Sequence, residues 1–340
     1  MLIIRNPKNK LGKTDFFTNE DGEIIMFLPL ERLLERVELD KEDSDVCFFN
    51  TLMYFGECLA KTIVAGIIAG IRQDKNRLRY QQANRLVKAN GLGEWTEVLS
   101  AVLTGPPAQY LDDALSSTIN MLVSKAKSGD WRYSVISNLN NCLSKVGVSV
   151  EKPSKAVKLQ SWIVLFTRLR NKTRGHGALK GGVLSSVCLD LHQSLGEIYK
   201  QCPLFSCDWA YLHQNLSGKY RVSPLTKTSS NFDYLKKSKK ERLQNGVYIY
   251  LSKPYFVELI HSDTDLSDFF YANGSFGKNT YETISYITGS IENRDVTPYL
   301  TPPQALPPSE TQGTNEFHIR TSCFSNLPSK KGDYVKRKVL

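Results

Sequence analysis

The chain has 340 residues, of which 41% are hydrophobic, and a formal net charge of +10. This length exceeds that of a typical single domain and this apolar content is enough for packed cores, so a disordered or collagen-like chain is excluded and two domains are expected. The first ten residues run straight into polar sequence, and no secretion signal is predicted from them. The pI of about 9.1 favours attraction to a polyanion such as nucleic acid.

The seven cysteines are odd in number and scattered, and several lie inside apolar helical patterns. Free thiols at such positions pack as small hydrophobic groups, which indicates a reducing compartment and a cytoplasmic location. Cys202 and Cys207 have His213 nearby but no second ligand pair at zinc spacing. We therefore predict no metal site and no cofactor.

Residues 28–200 repeat apolar side chains at steps of three and four, the period of amphipathic helices. The most apolar part, residues 46–72, is predicted to be one long helix. It has the length of a membrane span, but Glu57 and Lys61 near its middle favour a buried helix of a bundle over a membrane segment. Other predicted helices cover residues 76–90, 95–103, 111–127 and a segment that begins at Ser154 as its N-cap. A last helix is predicted after residue 182, with one apolar face formed by Leu184, Val187, Leu191, Leu195 and Ile198.

Beyond residue 200 the helical period gives way to short runs rich in β-branched and aromatic residues, separated by polar or glycine-containing turns. These runs, at 247–250, 255–260, 269–271 and 281–287, predict a small antiparallel sheet domain. The predicted class is α+β. The predicted divisions are an N-terminal segment (1–27), a helical domain (28–200), a β-rich domain (201–297) and an extended Pro-rich linker with a basic tail (298–340).

One short segment, residues 168–177, concentrates four cations, an imidazole and two glycines between apolar helices. Cleavage of RNA without a metal requires a group that titrates near pH 7 for the ribose 2′-hydroxyl and fixed positive charge at the phosphate. His176 and Arg170 supply these two groups, and Asn171 can hold the imidazole or the phosphate. Gly175 and Gly177 allow close approach of the backbone, and the start of the next helix favours an anion.

The alternative interpretation is a turn that joins two helices, with solvated cations and a histidine that only caps a helix. We favour a site because a titratable group and several anion-binding features converge on one segment.

The segment from Arg170-Asn171 to His176 resembles the HEPN signature, in which an Arg and a His are separated by four to six residues and a polar residue, often Asn, follows the Arg. Five residues separate them here, and the predicted helical context at 28–200 is also similar. The resemblance implies a HEPN bundle with metal-independent endoribonuclease activity and with Arg170, Asn171 and His176 as catalytic residues. The expected RNA-binding residues are Arg168, Lys172, Arg174 and Lys180.

The resemblance also implies a homodimer, because active HEPN proteins bring two motifs together to form one RNA-cutting site. Its implied setting is bacterial anti-phage defence by abortive infection. A different class stays open: a non-catalytic HEPN module that dimerises, binds RNA or regulates a larger assembly.

A weaker resemblance concerns the C-terminal part. Residues 269–289 resemble the module that follows HEPN domains in some bacterial defence proteins, and the tail 326–338 resembles the segment that leads into a STAND-type ATPase. The second resemblance makes such an ATPase, downstream or separate, a candidate partner. The sequence contains no phosphate-binding loop of the form G-x-x-x-x-G-K-[ST].

Glu57 has two interpretations. It is either an accessory polar group of the site or the partner of Lys61 one helical turn later, and we favour the pair with Lys61. His192, His213 and the Asp112-Asp113 pair show no set of partners typical of metal ligands.

Overall fold

The computed structural model describes residues 27–72, 78–87, 91–150, 154–174, 181–227, 229–240, 242–243 and 245–257, together with four later strands up to residue 295. The predicted N-terminal segment up to residue 26, the Pro-rich linker and the basic tail lie outside these residues. Apart from one pair of short strands that lies among the helices, the α-helices precede the strands along the described chain, and the α+β class is confirmed.

The described residues form eight α-helices, which occupy the first two thirds of the fold. They are α1 (Leu28–Asp43), α2 (Asp45–Ala69), α3 (Leu78–Val87), α4 (Leu92–Thr104), α5 (Ser116–Val123), α6 (Trp131–Lys145), α7 (Ser161–Arg174) and α8 (Gly181–Gln201).

Helix α2 lies at the centre of the bundle and packs against α1, α4, α7 and α8. Among the described residues it is the one helix long and apolar enough to span a membrane, and its apolar stretch is completely buried within the protein. The prediction of a long buried helix is confirmed. The helix begins where the Ser44 hydroxyl accepts a hydrogen bond from the Cys47 N–H at 3.2 Å, an N-cap.

Two helix predictions in the middle of the chain are wrong. Residues 111–127 contain a 3-10 helix at Asp113–Leu115, the short α5 and then strand β1 (Lys125–Lys127), which pairs antiparallel with β2 (Ala156–Lys158). Ser154 does not cap a helix, because its hydroxyl donates to the Ala156 carbonyl and α7 starts only at Ser161. In both segments, backbone pairing between β1 and β2 takes the place of the predicted helix.

Helix α6 was not predicted. It begins at Asp130, whose carboxylate accepts from the Arg132 N–H at 2.9 Å. Its apolar residues Val135, Ile136, Leu139 and Leu143 are buried, and the helix packs against α7 and α8.

A four-stranded antiparallel sheet follows the helices, with strand order β4-β3-β5-β6. Its strands are β3 (Asp208–Gln214), β4 (Tyr220–Pro224), β5 (Gly246–Tyr250) and β6 (Pro254–Phe256). The run predicted at 247–250 is confirmed as β5.

The two faces of this sheet pack against different partners, because side chains alternate along a strand. Trp209, Val247 and Ile249 belong to the same core as the helices. Ala210 and Tyr248 point to the other face and form a smaller core, which a 3-10 helix at Ser230–Lys236 covers. The boundary at residue 200 stays a prediction, and the helical core continues across it onto the sheet.

A second antiparallel sheet has the order β10-β9-β8-β7. Its strands are β7 (Ile260–Ser262), β8 (Phe269–Tyr271), β9 (Thr280–Ile284) and β10 (Ile291–Asp295). The runs predicted at 269–271 and 281–287 correspond to β8 and β9, and the antiparallel arrangement of the β-rich part is confirmed.

Asp112, in the connection between α4 and α5, joins the helices to the first sheet. Its carboxylate is buried and accepts hydrogen bonds from the hydroxyls of Ser252 and Tyr255, the latter at 2.7 Å. The Asp112 N–H donates to the Gly70 carbonyl at 2.8 Å, just after α2. This one residue therefore contacts the end of α2 and the turn between β5 and β6.

Candidate active site

Helix α7 positions the arginine of the motif. Trp162, Ile163, Phe166 and Leu169 are completely buried at helical spacing, so one face of α7 packs into the bundle. Arg170 follows this face directly, and only 15% of its side chain is exposed. An arginine at this position needs a polar partner inside the protein.

Glu57 of α2 is that partner. The Arg170 Nε donates to the Glu57 Oε2 at 3.0 Å, and the Glu57 side chain is completely buried. Glu57 is the one partner of the guanidinium among the residues that the structure describes. Binding through Nε engages one edge of the guanidinium, and its two terminal nitrogens have no hydrogen-bond partner among the described residues.

Lys61 completes a buried triad with Glu57 and Arg170. Its Nζ lies 3.2 Å from the Glu57 Oε1, and its side chain is also completely buried. The same ammonium lies 5.6 Å from the centre of the Trp95 ring on α4, a cation–π distance. The triad therefore joins α2 and α7 beneath the motif.

The two interpretations of Glu57 turn out to be compatible. The predicted pair with Lys61 is present, and the same carboxylate also contacts Arg170 with its other oxygen. The Lys61 pair follows from spacing within one helix, whereas Arg170 is distant in sequence. The sequence signal for this second contact was a charged residue in a helix that is otherwise apolar on all sides, because a buried charge requires partners.

The charges of the triad do not balance. In their usual ionised forms the three side chains comprise two cations and one anion, so they carry one net positive charge in a poorly solvated place. Additional negative charge beside Arg170 would be stabilised there, because a buried charge is screened little by water and salt. A phosphate diester supplies one negative charge.

The other motif residues of α7 face the solvent. Asn171 and Lys172 are exposed, as is Arg168, whose Nη2 lies 3.4 Å from the Ser149 carbonyl oxygen. Thr173 is buried and its hydroxyl donates to the Leu169 carbonyl at 2.8 Å. The structure thus brings Arg170 to Glu57 and leaves Asn171 and Lys172 on the outside of the same helical turn.

His176 and Lys180 lie outside the described residues, as does the side chain of Arg174. The predicted proximity of His176 to Arg170 stays a prediction. The helix preceding this segment ends at Arg174 and the next begins at Gly181, so helices lie on both sides of the motif as predicted, although the first begins at Ser161 and not after Ser154.

The sequence places Arg170 in a segment between two helices, whereas in the structure Arg170 lies within α7. Residues 168–174 form the last two turns of α7, and only the part from Gly175 onward connects the helices. Arg and Lys are good helix formers, and cations near a helix C-terminus are favourable to its dipole. These residues therefore extend the helix up to the first glycine.

The remaining histidine candidates lie apart from this site. His192 is buried, with its Nε2 2.9 Å from a Glu38 carboxylate oxygen and its ring against Phe48. Burial lowers the pKa of His192, although Glu38 acts in the opposite direction. His213 is exposed on β3.

The cysteines of the described residues are free thiols. Burial raises the pKa of Cys142, Cys188 and Cys202 to about 12, so these thiols are protonated at neutral pH. No group of three or more metal-ligating side chains occurs within the part of the chain that the structure describes.

Comparisons with known proteins give no further assignment: no protein-family model, curated protein or solved structure matches this chain.

Proposed function

We propose that this protein is a metal-independent endoribonuclease of the HEPN type, in which Arg170 and His176 act on one phosphodiester of RNA. The observation that carries the proposal is the guanidinium of Arg170, held at its Nε by the buried Glu57 at 3.0 Å. An anchored arginine with its terminal nitrogens available is suited to binding two phosphate oxygens at once.

Electrostatics support a role at the phosphate. Negative charge on the phosphate oxygens grows as the 2′-oxygen attacks, and a cation already fixed in place stabilises this charge without reorganisation. The Glu57–Lys61–Arg170 triad carries a net positive charge, and Glu57 fixes the orientation of Arg170 from inside the bundle. Glu57 acts here as a positioning residue.

His176 is assigned to proton transfer. An imidazole near its ordinary pKa accepts the proton of the 2′-hydroxyl while the 2′-oxygen bonds to phosphorus and the bond to the 5′-oxygen breaks. The leaving 5′-oxygen takes up a proton from water and the imidazole returns its proton to the solvent, so the products are a 2′,3′-cyclic phosphate and a 5′-hydroxyl. Asn171 assists at the imidazole or the phosphate.

The expected RNA-binding residues fit a strand that crosses the end of α7. Arg168 and Lys172 are exposed on this helix, and exposed cations bind the RNA backbone irrespective of sequence. Arg174 and Lys180 extend this basic set in the sequence.

The HEPN resemblance extends the proposal to the assembly and the biology. A homodimer through the helical bundle would bring two motifs together into one site, in the cytoplasm of a bacterium. Its role would be abortive anti-phage defence, with a STAND-type ATPase as the regulating partner.

Cleavage of RNA in excess EDTA tests the proposal. The wild-type chain should cut single-stranded RNA and leave 2′,3′-cyclic ends, while Arg170→Ala and His176→Ala should each lose activity by roughly a hundredfold or more. Matched controls are Arg221→Ala and His213→Ala, which change exposed residues of the first sheet. Both controls should retain full activity.

Cleavage that persists in both motif variants, or that EDTA abolishes, would contradict the proposal. RNA binding without cleavage, lost in Arg170→Ala, would instead support the non-catalytic HEPN module. Toxicity on expression that disappears in His176→Ala would link the activity to a defence role.

A further inference from the structure

A cleft opens where the end of α2 meets the turn between β5 and β6. It has a volume of about 490 Å³ and is lined by Arg72, Gln109, Tyr110, Ser252, Lys253 and Tyr255. This volume is in the range of small-molecule sites, which occur preferentially where two parts of a fold meet. The part of α2 from Glu57 to Ala69 rises by roughly 18 Å, so the cleft is separate from the Arg170 site.

The floor of the cleft is fixed by the backbone. The Arg72 N–H donates to the Tyr110 carbonyl at 2.8 Å, and the Arg72 Nη2 donates to the Leu111 carbonyl at 2.8 Å. Asp112 attaches the same segment to the β5–β6 turn through its bonds to Ser252 and Tyr255. A preformed floor lowers the entropic cost of binding a ligand.

Two cations, Arg72 and Lys253, line the cleft. The side chain of Arg72 is 39% exposed and pairs with Asp113, both of its terminal nitrogens lying 3.0 Å from that carboxylate. Because the Asp113 side chain is 89% exposed, solvent screens this pair, and a phosphate, which a guanidinium also binds with two nitrogens, can replace the carboxylate. Lys253, the other cation of the lining, is exposed.

The buried Asp112 has its own hydrogen-bond donors. Burial raises the pKa of its carboxyl group, but hydrogen bonds from Ser252, Tyr255 and the Ala114 N–H, together with the positive charge of Arg72, keep the pKa below its usual range. The hydrogen bonds of the carboxylate therefore come from these donors, so that Arg72 and Lys253 can contact an anion in the cleft.

Aromatic and amide groups complete the lining. Tyr110 is half-buried, and the Lys253 ammonium lies 5.3 Å from the centre of the Tyr255 ring. Tyrosine rings offer a stacking surface to nucleic-acid bases. Gln109 is exposed and carries both hydrogen-bond donors and an acceptor, which suits the edge of a base.

We propose that this cleft binds a nucleotide, with its phosphate between Arg72 and Lys253 and its base on Tyr110. A single nucleotide is favoured over a nucleic-acid strand because the two cations face one cleft rather than following a groove along the surface. The site is independent of the proposed nuclease activity.

Isothermal titration of the full-length protein tests this with four probes: AMP, adenosine, inorganic phosphate and a short single-stranded DNA, which lacks the 2′-hydroxyl and cannot be cut by 2′-attack. AMP should bind saturably, and at least about tenfold more tightly than adenosine or phosphate alone, because both ends of the molecule contribute.

Variants locate the binding. Lys253→Glu and Arg72→Gln should each weaken AMP binding by about tenfold or more, whereas Arg221→Gln, an exposed arginine of β4, should have no effect. Arg72 also holds the Leu111 carbonyl, so its variant needs a check of folding by circular dichroism. If Arg72→Gln does not fold, AMP binding by Lys253→Glu and Tyr110→Ala tests the proposal.

The proposal is overturned if AMP shows no saturable binding up to roughly 1 mM. It is also overturned if phosphate binds as tightly as AMP, if the DNA strand binds and AMP does not, or if binding is unchanged in Lys253→Glu and Tyr110→Ala.

Discussion

Glu57 is completely buried between two cations, Lys61 and Arg170, which approach its two carboxylate oxygens separately. Moving three charged groups out of water is costly, and their mutual attraction offsets this cost only while all three are present. The stability of the bundle therefore depends on the complete triad rather than on either pair.

We expect Glu57→Gln to lower the free energy of unfolding by about 3–5 kcal/mol, because the buried Lys61 and Arg170 both lose the carboxylate that they contact. Urea denaturation followed by tryptophan fluorescence measures this. The control is Glu97→Gln, whose exposed pair with Arg85 should contribute less than about 1 kcal/mol. Equal denaturation midpoints for the two variants would show that the triad does not stabilise the fold.

A second buried carboxyl group, Glu31 of α1, faces α8. The Tyr199 hydroxyl donates to the Glu31 Oε1 at 2.8 Å and accepts from the Phe27 N–H at 3.1 Å. Burial raises the pKa of Glu31 from its usual 4.5 to about 7, with a smaller contribution from Glu35, and the Tyr199 hydrogen bond only partly opposes this. Glu31 thus titrates near neutral pH.

The raised pKa means that the folded chain holds this proton more tightly than the unfolded chain. The resulting stability is present below about pH 4.5 and is lost as the pH rises through about 7. We expect Glu31→Gln to leave stability nearly unchanged at about pH 5 and to raise it by roughly 1–3 kcal/mol at about pH 8.

Urea denaturation at both pH values checks this expectation, with Glu42→Gln on the exposed side of α1 as the control. A pH dependence that is the same in Glu31→Gln and wild type would contradict the assignment.

The sequence indicated Arg170 as a candidate site residue, but it did not identify Glu57 as the partner of Arg170. A run of cations beside a histidine is visible locally, whereas the contact with Glu57 joins residues 113 positions apart. Such a contact depends on how α2 and α7 pack, which no local pattern specifies. The spacing within α2 predicted the pair with Lys61, because residues four apart share a helix face.

At the scale of elements, α2 and α7 approach closely at Gly56, one residue before Glu57. A Cβ atom at this glycine would lie 2.5 Å from Cζ of the buried Phe166 ring. The absence of a side chain at Gly56 therefore allows the close approach of α7 that brings Arg170 to Glu57.

We expect Gly56→Ala to destabilise the fold by about 1–3 kcal/mol, because overpacking in a core outweighs the gain in helix propensity. Gly93→Ala in α4 is the matched control, since a Cβ there meets nothing within 4 Å and alanine should stabilise the helix by up to about 1 kcal/mol. Thermal unfolding of both variants shows whether each substitution stabilises or destabilises the fold. A stabilised Gly56→Ala would refute the close contact.

The spacing of apolar residues correctly predicted those elements that form without pairing to a distant segment. The predicted face of α8, with Leu184, Val187, Leu191, Leu195 and Ile198, is buried throughout. Strand β1 was missed because Lys125–Lys127 is only three residues long and is a strand through its pairing with β2. Ser154 has the chemistry of an N-cap, but tertiary pairing of the residues after it prevents a helix there.

At the scale of the whole molecule, Asp112 holds the helices and the first sheet together. Its hydrogen bonds from Ser252 and Tyr255 span more than a hundred residues of sequence, and these bonds keep its pKa below the usual range although burial raises it. This contribution is present above about pH 3.8 and is lost as the pH falls through the pKa of the folded state.

We expect Asp112→Asn to destabilise the protein by roughly 2–4 kcal/mol, because hydrogen bonds to a buried charged group are lost or weakened. The neighbouring Asp113→Asn changes an exposed side chain and should cost less than about 1 kcal/mol. Urea denaturation at neutral pH measures both. A larger loss of stability in Asp113→Asn than in Asp112→Asn would show that Asp112 is not the main connection between the helices and the first sheet.

The central position of α2 has a consequence for synthesis. This helix is apolar enough to insert into a lipid bilayer, and α8, one of the helices that cover it, emerges from the ribosome long after it. The chain from Ala69 to Gln201 takes roughly 7 to 26 s to translate at about 5–20 residues per second. During that interval α2 cannot bury its apolar surface against α8, and we expect chaperones to bind this surface until the completed bundle covers it.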